Sequence, residues 1–222
     1  MMPMNRSGDG NAYNRFVNLD NIEYRIVNYL AKSKTKYANN LWKILKYDTE
    51  DCLSLPDVSY KDRMALLYKN NGDSTQFRVF LTPFTDDGWD VQCSHLHIFV
   101  HSVVPQNHIT SKVNIGIETI VHNKISNILG DAQNEDGNPS ELDEDGNPVI
   151  IYKNRASTML KSILADINGQ MVAGVGMLQF NTQLHAEDVA RMSLWNARKF
   201  YGFSTIVSTL LSGASANSGC GY

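Results

Sequence analysis

The stretch SHLHIFVHSVV, Ser94 to Val104, decides how the rest of the chain is read. Leu96, Ile98 and Val100 alternate with His95, His97, Phe99 and His101, the period of two that sends successive side chains to opposite faces of a β-strand. The same rhythm runs through KVNIGIETIVH, Lys112 to His122, where Val113, Ile115, Ile117, Thr119 and Val121 alternate with Asn114, Gly116, Glu118, Ile120 and His122. Upstream, QFRVFLTPF sets Phe77, Val79 and Leu81 against Arg78, Phe80 and Thr82, stops at Pro83, and is followed by DDGWD as a turn. Three consecutive strands with short connections predict an antiparallel meander.

Outside this block the period lengthens to that of a helix. Asp20 or Asn21 is placed to cap a helix running to about Lys32, with Ile22, Ile26, Tyr29 and Leu30 on one face. Leu41, Ile44 and Leu45 predict a second helix, and Met64, Leu67 and Tyr68 a shorter one after a break around Pro56. Downstream, NRASTMLKSILADING has Asn154 as cap, apolar residues at Met159, Leu160, Ile163, Leu164 and Ile167, and Gly169 as the stop. QMVAGVGMLQFN reads as a glycine-bearing strand, HAEDVARMSLWNARKFYG as a helix or edge strand, and FSTIVSTLLS as a closing strand. The fold class is therefore α+β: a twisted antiparallel sheet of about five strands flanked by helices that cover one face.

The 222 residues, 42% hydrophobic and 19% charged, have the balance of a folded domain. No window approaches the roughly 18 apolar residues of a membrane span, and no signal peptide is expected at the N-terminus. Cys52, Cys93 and Cys220 are far apart in sequence and read as free thiols. Residues 1–18 and 213–222 read as arms, and 19–129 with 152–212 as the α+β domain, interrupted by an insertion at 130–151. That insertion says EDGNP twice. Seven of the chain's 23 acids and none of its 20 Lys and Arg fall between Gly130 and Pro148, so the remaining 16 acids are outnumbered and the average charge of −3 hides two opposed parts. The basic residues are scattered singly, which argues against DNA binding.

The Asp-Gly pairs and prolines of the insertion predict a turned projection. DEDGN opens a calcium-loop pattern, but no closing Glu follows at the needed distance. Its uncompensated acids, Asp136 and Asp145 among them, are available to a partner or repel one.

The most chemical feature is the histidine ladder. With PQNHIT as a hairpin, Glu118 falls near His97 and His122 near His95, so His95, His97, His101, Glu118 and His122 could together form a metal site and hence a metal-dependent enzyme. The competing reading is a structural or interfacial face, because Phe99, Val103 and Ile120 share it and no H-E-x-x-H companion exists. We adopt the second, with no cofactor and no reaction. Dinucleotide, Walker and nucleophile-elbow motifs are missing: GVGML lacks the third glycine and opens no helix, so its glycines serve a bend or a close backbone approach. Trp195, Phe200, Tyr201 and Phe203 read as core or interface anchors.

An N-terminal helix, FRVFLTPF, LHIFVHSVVP, KVNIGIETIVHNKI, a helix from NRASTMLKSILADING, GVGMLQFN and a final strand follow one another in an order that resembles the tail terminators and related neck proteins of tailed bacteriophages, over Asp20 to Ser212. The resemblance implies a tail-terminator-like sheet, a homo-oligomeric ring, sixfold or twelvefold, at the head–tail junction of a virion, and synthesis in a host cytoplasm. It also implies portal-adaptor, neck or tail proteins as neighbours, DNA passing through the lumen without specific binding, and no membrane. The histidine face, the glycine strand and the arms become contact surfaces in that setting. Tyr37 to Ser74 and the acidic insertion are additions to that plan.

Overall fold

Three long strands form the spine of the molecule, and everything else is arranged by which of their faces it covers. The structure, a computed structural model, describes residues 19–70, 73–83, 91–107, 110–130, 142–146, 149, 151–180, 190–193 and 199–212, with backbone alone at 190–193 and 212. Both expected arms, Asp136 and Trp195 lie outside the described residues. In chain order, α1 (Ile22–Lys32), α2 (Lys36–Lys46) and α3 (Tyr60–Ala65) precede β1 (Val79–Phe80), β2 (Ser94–Pro105) and β3 (Thr110–His122). Then come β4 (Asn127–Leu129), β5 (Tyr152–Asn154), α4 (Arg155–Ile167), β6 (Met171–Val172), β7 (Gly176–Met177), β8 (Gln179–Phe180), β9 (Ala190–Ser193) and β10 (Phe200–Ser212).

The helices start where short polar side chains replace missing backbone partners. Thr35 Oγ1 accepts from Ala38 N at 3.0 Å to open α2, and Asn154 Oδ1 accepts from Ser157 N at 3.0 Å to open α4. Gly169, at φ 75°, follows the end of α4 as predicted. At α1 the expected cap does not form: Asn21 Oδ1 accepts instead from Arg25 Nε at 2.6 Å.

The main sheet runs β1, β2, β3, β10, β8, with β9 also on β10. It is mixed and open, and with its helices makes an α+β fold. Ile98 faces Ile117 across β2 and β3, and Thr205 faces Ile117 from β10. This row and its neighbours Leu96, Val113, Ile115, Val121, Val207 and Leu211 form the front face, buried under α1, α2 and α4. The helices contribute Ile22, Ile26, Leu30, Leu41, Trp42, Ile44, Met159 and Ile163, all fully enclosed.

Two arginines lock the helical layer. Arg155 is fully buried and donates to Ile44 O, Tyr47 O and Thr49 O, holding the C-terminal end of α2. Arg63 donates to Val58 O, Ala31 O, Ser33 O and Asn39 Oδ1, gathering the end of α1. Carbonyls at helix ends lack partners within the helix, so a buried guanidinium with five donors satisfies several at once. Asp166 accepts from the Ser33 and Thr35 hydroxyls and ties α4 to the α1–α2 turn.

Three expectations need correction. The first strand is not antiparallel to β2. It shrinks to Val79 and Phe80 and pairs parallel, Val79 with Leu96 and Phe80 with His97. Val79 is also bridged to Leu67, and Leu66 O accepts from both Arg78 N and Val79 N, so this short strand is wedged between two neighbours. QMVAGVGMLQFN is a tight β6–β7 hairpin and then β8 rather than one strand, because Gly174 and Gly176 sit at φ 77° and 101°. The final strand starts at Phe200, three residues early, and of the polar segment before it, Ala190–Ser193 is an edge strand.

Both long edges of the sheet are occupied or blunted. On β10, β9 covers Tyr201 to Ser204 and β8 covers Val207 and Ser208, while Gly176 packs beside Leu210 O. On β2, beyond β1, the Val100 N–H is taken by Glu23 Oε1 at 3.0 Å, the register slips at His101, and Pro105 has no N–H to offer. The insertion at 130–151 rises from β4 and β5, which pair antiparallel, and Gly130 N donates to Ile151 O at 2.6 Å.

Candidate functional site

The back face of the sheet carries the residues singled out in the sequence, and it divides into two halves. The register places His97 opposite Glu118 and Ser204, His95 opposite Ile120 and Gly202, and Phe99 opposite Gly116 and Ile206. Further along lie Ser102, Asn114 and Ser208, then Val104, Lys112 and Leu210. The half nearer β1 is closed: His95, His97, Glu118, His122 and Phe200 are all under 9% exposed.

Within that half each imidazole has a structural partner. His97 Nδ1 lies 2.8 Å from Thr82 O, and a carbonyl only accepts, so Nδ1 carries the proton and Nε2 is left as an acceptor. Cys93 Sγ lies 2.7 Å from His95 Nε2. His122 Nδ1 accepts from Lys124 N and caps the turn after β3. Phe200 stands between His95 and His122, with ring centroids at 6.0 and 5.0 Å, so the expected approach of those two imidazoles is filled by an aromatic ring. His101 is exposed at the bulge and does not join them. Among the described residues no three His, Cys, Asp or Glu side chains are disposed to hold a metal ion.

Burial sets the protonation of this half. It pushes the Glu118 carboxyl up to about 7 and the Cys93 thiol up to about 12. It also lowers His97 to about 4, against the Thr82 hydrogen bond, and holds His95 well below the ordinary range, assisted by His97 and Arg78. A neutral thiol beside a neutral imidazole is the reverse of an activated Cys–His nucleophile. His97 Nε2 and Glu118 Oε2 are buried without a hydrogen-bond partner, a cost of about 1–3 kcal/mol for each such group.

The other half is open. Phe99 lies over Gly116, where a Cβ would stand 2.5 Å from the ring, and both Phe99 and Ile206 are half-buried. Beyond them Val104 is 43% exposed and Leu210 60%. On the β6–β7 hairpin, which Thr209 Oγ1 holds from the front face by donating to Val175 O at 2.9 Å, Met177 is 45% exposed and its partner Met171 66%. The sequence reading missed this row, although the alternation of β2 and β10, carried to their ends, points to it.

Of the other expected contact residues, Tyr201 faces the helical side and donates to Ser126 O at 3.1 Å. Asp145 is exposed in the insertion. A cleft of about 580 Å³ beside α1 and α3 is lined by Lys32, Lys34, Asp57 and Arg63, but the Arg63 guanidinium there is committed to four structural acceptors.

The YomW family model matches residues 38–209, more than half of the chain, and the chain belongs to that family. The name is of the SPbeta phage type and points to a phage-encoded protein. No curated protein and no solved structure matches the chain. Among the described residues no helix is long and apolar enough to cross a membrane.

Proposed function

We propose that this YomW-family chain is a structural subunit of a tailed-phage particle. It takes its place in a ring at the head–tail junction, as tail terminator or another ring of the neck, joins the portal-adaptor complex to the tail, and lets DNA pass without reading it. The observation that carries the reading is the open half of the back face. A sheet with strands of 12 and 13 residues keeps its edges blunted yet leaves Val104 and Leu210 in solvent on either side of Lys112. Clustered exposed apolar side chains mark a contact surface rather than a catalytic pocket. The buried half supports the same reading, since its imidazoles and thiol are neutral and tied to their own chain.

In a ring the acidic insertion would suit the lumen or an adjoining ring, where like charge keeps DNA from sticking. The test is the position of the chain in the particle. Virions carrying an epitope on this protein, labelled with gold-tagged antibody and imaged, should show gold at the head–tail junction. Particles without gold, or with gold only on the capsid or tail tip, would overturn the proposal.

A further inference from the structure

The helical layer gathers cations that the chain as a whole scatters. Between Tyr24 and Tyr47 the sequence carries Arg25, Lys32, Lys34, Lys36, Lys43 and Lys46 and no Asp or Glu. The cleft of about 580 Å³ beside α1 and α3 opens among them. Arg63, which lines it, is 5% exposed and donates to Val58 O, Ala31 O, Ser33 O and Asn39 Oδ1. A guanidinium has five N–H donors, so one Nη2 hydrogen is left over. All four acceptors are uncharged, and a hydrogen bond to a neutral oxygen satisfies a donor without cancelling its charge. The end of α1 would by itself repel an anion with about half a charge, but a whole guanidinium charge bonded to Ala31 O and Ser33 O reverses the sign.

Lys32 and Lys34 also line the cleft, are exposed, and make no ion pair or hydrogen bond among the described residues. Ser33 between them is pinned, its N–H donating to Tyr29 O at 2.9 Å and its Oγ to Asp166 Oδ1 at 2.8 Å, so both lysines project from fixed backbone. The carboxylates nearby are engaged. Asp57 pairs with Lys43 Nζ at 2.9 Å and accepts from Asn39 Nδ2 at 3.1 Å, and Asp166 accepts from the turn's hydroxyls. Lys32, Lys34, Lys43 and Arg63 outnumber these two acids. Tyr60 adds a flat wall next to Val58: it is 47% exposed, and its hydroxyl donates to Asn28 Oδ1 at 2.9 Å, which holds the ring.

We infer that this cleft binds a nucleotide, with Lys32 and Lys34 holding the phosphate in the field of Arg63 and Tyr60 stacking on the base. The inference goes beyond the ring reading and does not depend on it. The cleft is larger than a bare oxyanion fills and lies in the range of small-ligand pockets. An aromatic face with cations alongside is the combination that holds a base and its phosphate together. One nucleotide needs only these few cations, not the basic stripe that duplex recognition uses and this chain lacks. A free nucleoside phosphate and a nucleotide unit of a single strand present the same chemistry to the site.

The experiment titrates the full-length chain with AMP, adenosine and inorganic phosphate by calorimetry, and with a fluorescein-labelled oligothymidylate by anisotropy. AMP should bind saturably, roughly tenfold or more tighter than adenosine or phosphate alone. Lys32→Ala combined with Lys34→Ala should weaken AMP by roughly tenfold or more, with the circular dichroism spectrum and unfolding midpoint of the parent. Lys112→Ala, on the back of the sheet, should leave binding unchanged. Tyr60→Ala should weaken AMP about fivefold or more and leave phosphate as it was, while Tyr60→Phe, which keeps the ring, should bind like the parent. An oligonucleotide held more tightly than AMP assigns the site to a strand, and one held no more tightly assigns it to the free nucleotide. No saturable binding of AMP or oligonucleotide up to about 10 mM, binding indifferent to the lysine pair, or phosphate held as tightly as AMP would overturn the inference.

Discussion

The two faces of the central sheet are built on opposite principles. The front is sealed by interdigitated aliphatic side chains, and its buried polar groups, Arg155 and Arg63, each satisfy several carbonyls. On the back, one half buries a carboxyl and imidazoles with some atoms unsatisfied, and the other half stays uncovered. Neither face is wholly satisfied, since Arg155 Nε, Thr205 Oγ1 and Asp166 Oδ2 on the helical side also lack partners, so what separates the two faces is coverage: the helices close the front, while Val104 and Leu210 on the back stay exposed.

The largest test of this contrast falls on the strand both faces share. A Cβ on Gly202 would stand 1.9 Å from Thr119 O, so Gly202→Ala must push β3 and β10 apart. Chemical denaturation should show a loss of about 4 kcal/mol or no folded protein; a loss under about 1 kcal/mol would mean the strands are less tightly apposed. Next comes the front. Arg155→Met leaves the carbonyls of Ile44, Tyr47 and Thr49 without their donor, and should cost about 3 kcal/mol by urea titration.

On the back, deleting a charge should have the opposite sign. Glu118 titrates near 7 in the folded chain against 4.5 as the ordinary value, so its favourable contribution is complete below about pH 4.5 and is lost as pH rises through 7. Glu118→Gln should therefore be more stable than the parent by about 1–2 kcal/mol at pH 8, after allowance for solvent screening, with the advantage vanishing near pH 4.5. Parallel stability curves for the two proteins would remove the buried-acid account. His97, lowered from 6.5 to about 4, works against this: the unfolded chain takes up protons first, so stability falls as pH drops from 6.5 towards 4. The smallest effect belongs to the open half, where Leu210→Ser should alter the unfolding free energy of the monomer by less than about 0.5 kcal/mol. A larger loss would show that the row is part of the core.

Much of this contrast is legible in the sequence. The alternation in β2 and β3 assigns each residue to a face, and the hairpin between them predicts that His97 meets Glu118, as the register shows. Asn154 and Gly169 mark the limits of α4 because capping is a local property. What cannot be read locally depends on the route of the chain. The direction of β1 follows from where residues 66–68 lie, since Val79 is pinned beside them. Phe200 enters between His95 and His122 only because β10 starts earlier than its apolar alternation declares. Arg155 and Arg63 look like surface cations until the helix ends they clamp are brought to them.

Glu23, the slip at His101 and the proline at 105 act together on one strand border. A bare ladder of amides on a sheet edge recruits any copy without limit and grows fibres. By withholding its main chain, this polypeptide leaves to side chains any contact the sheet makes, and a contact of that kind is finite in extent, tunable by single substitutions and responsive to ionic strength.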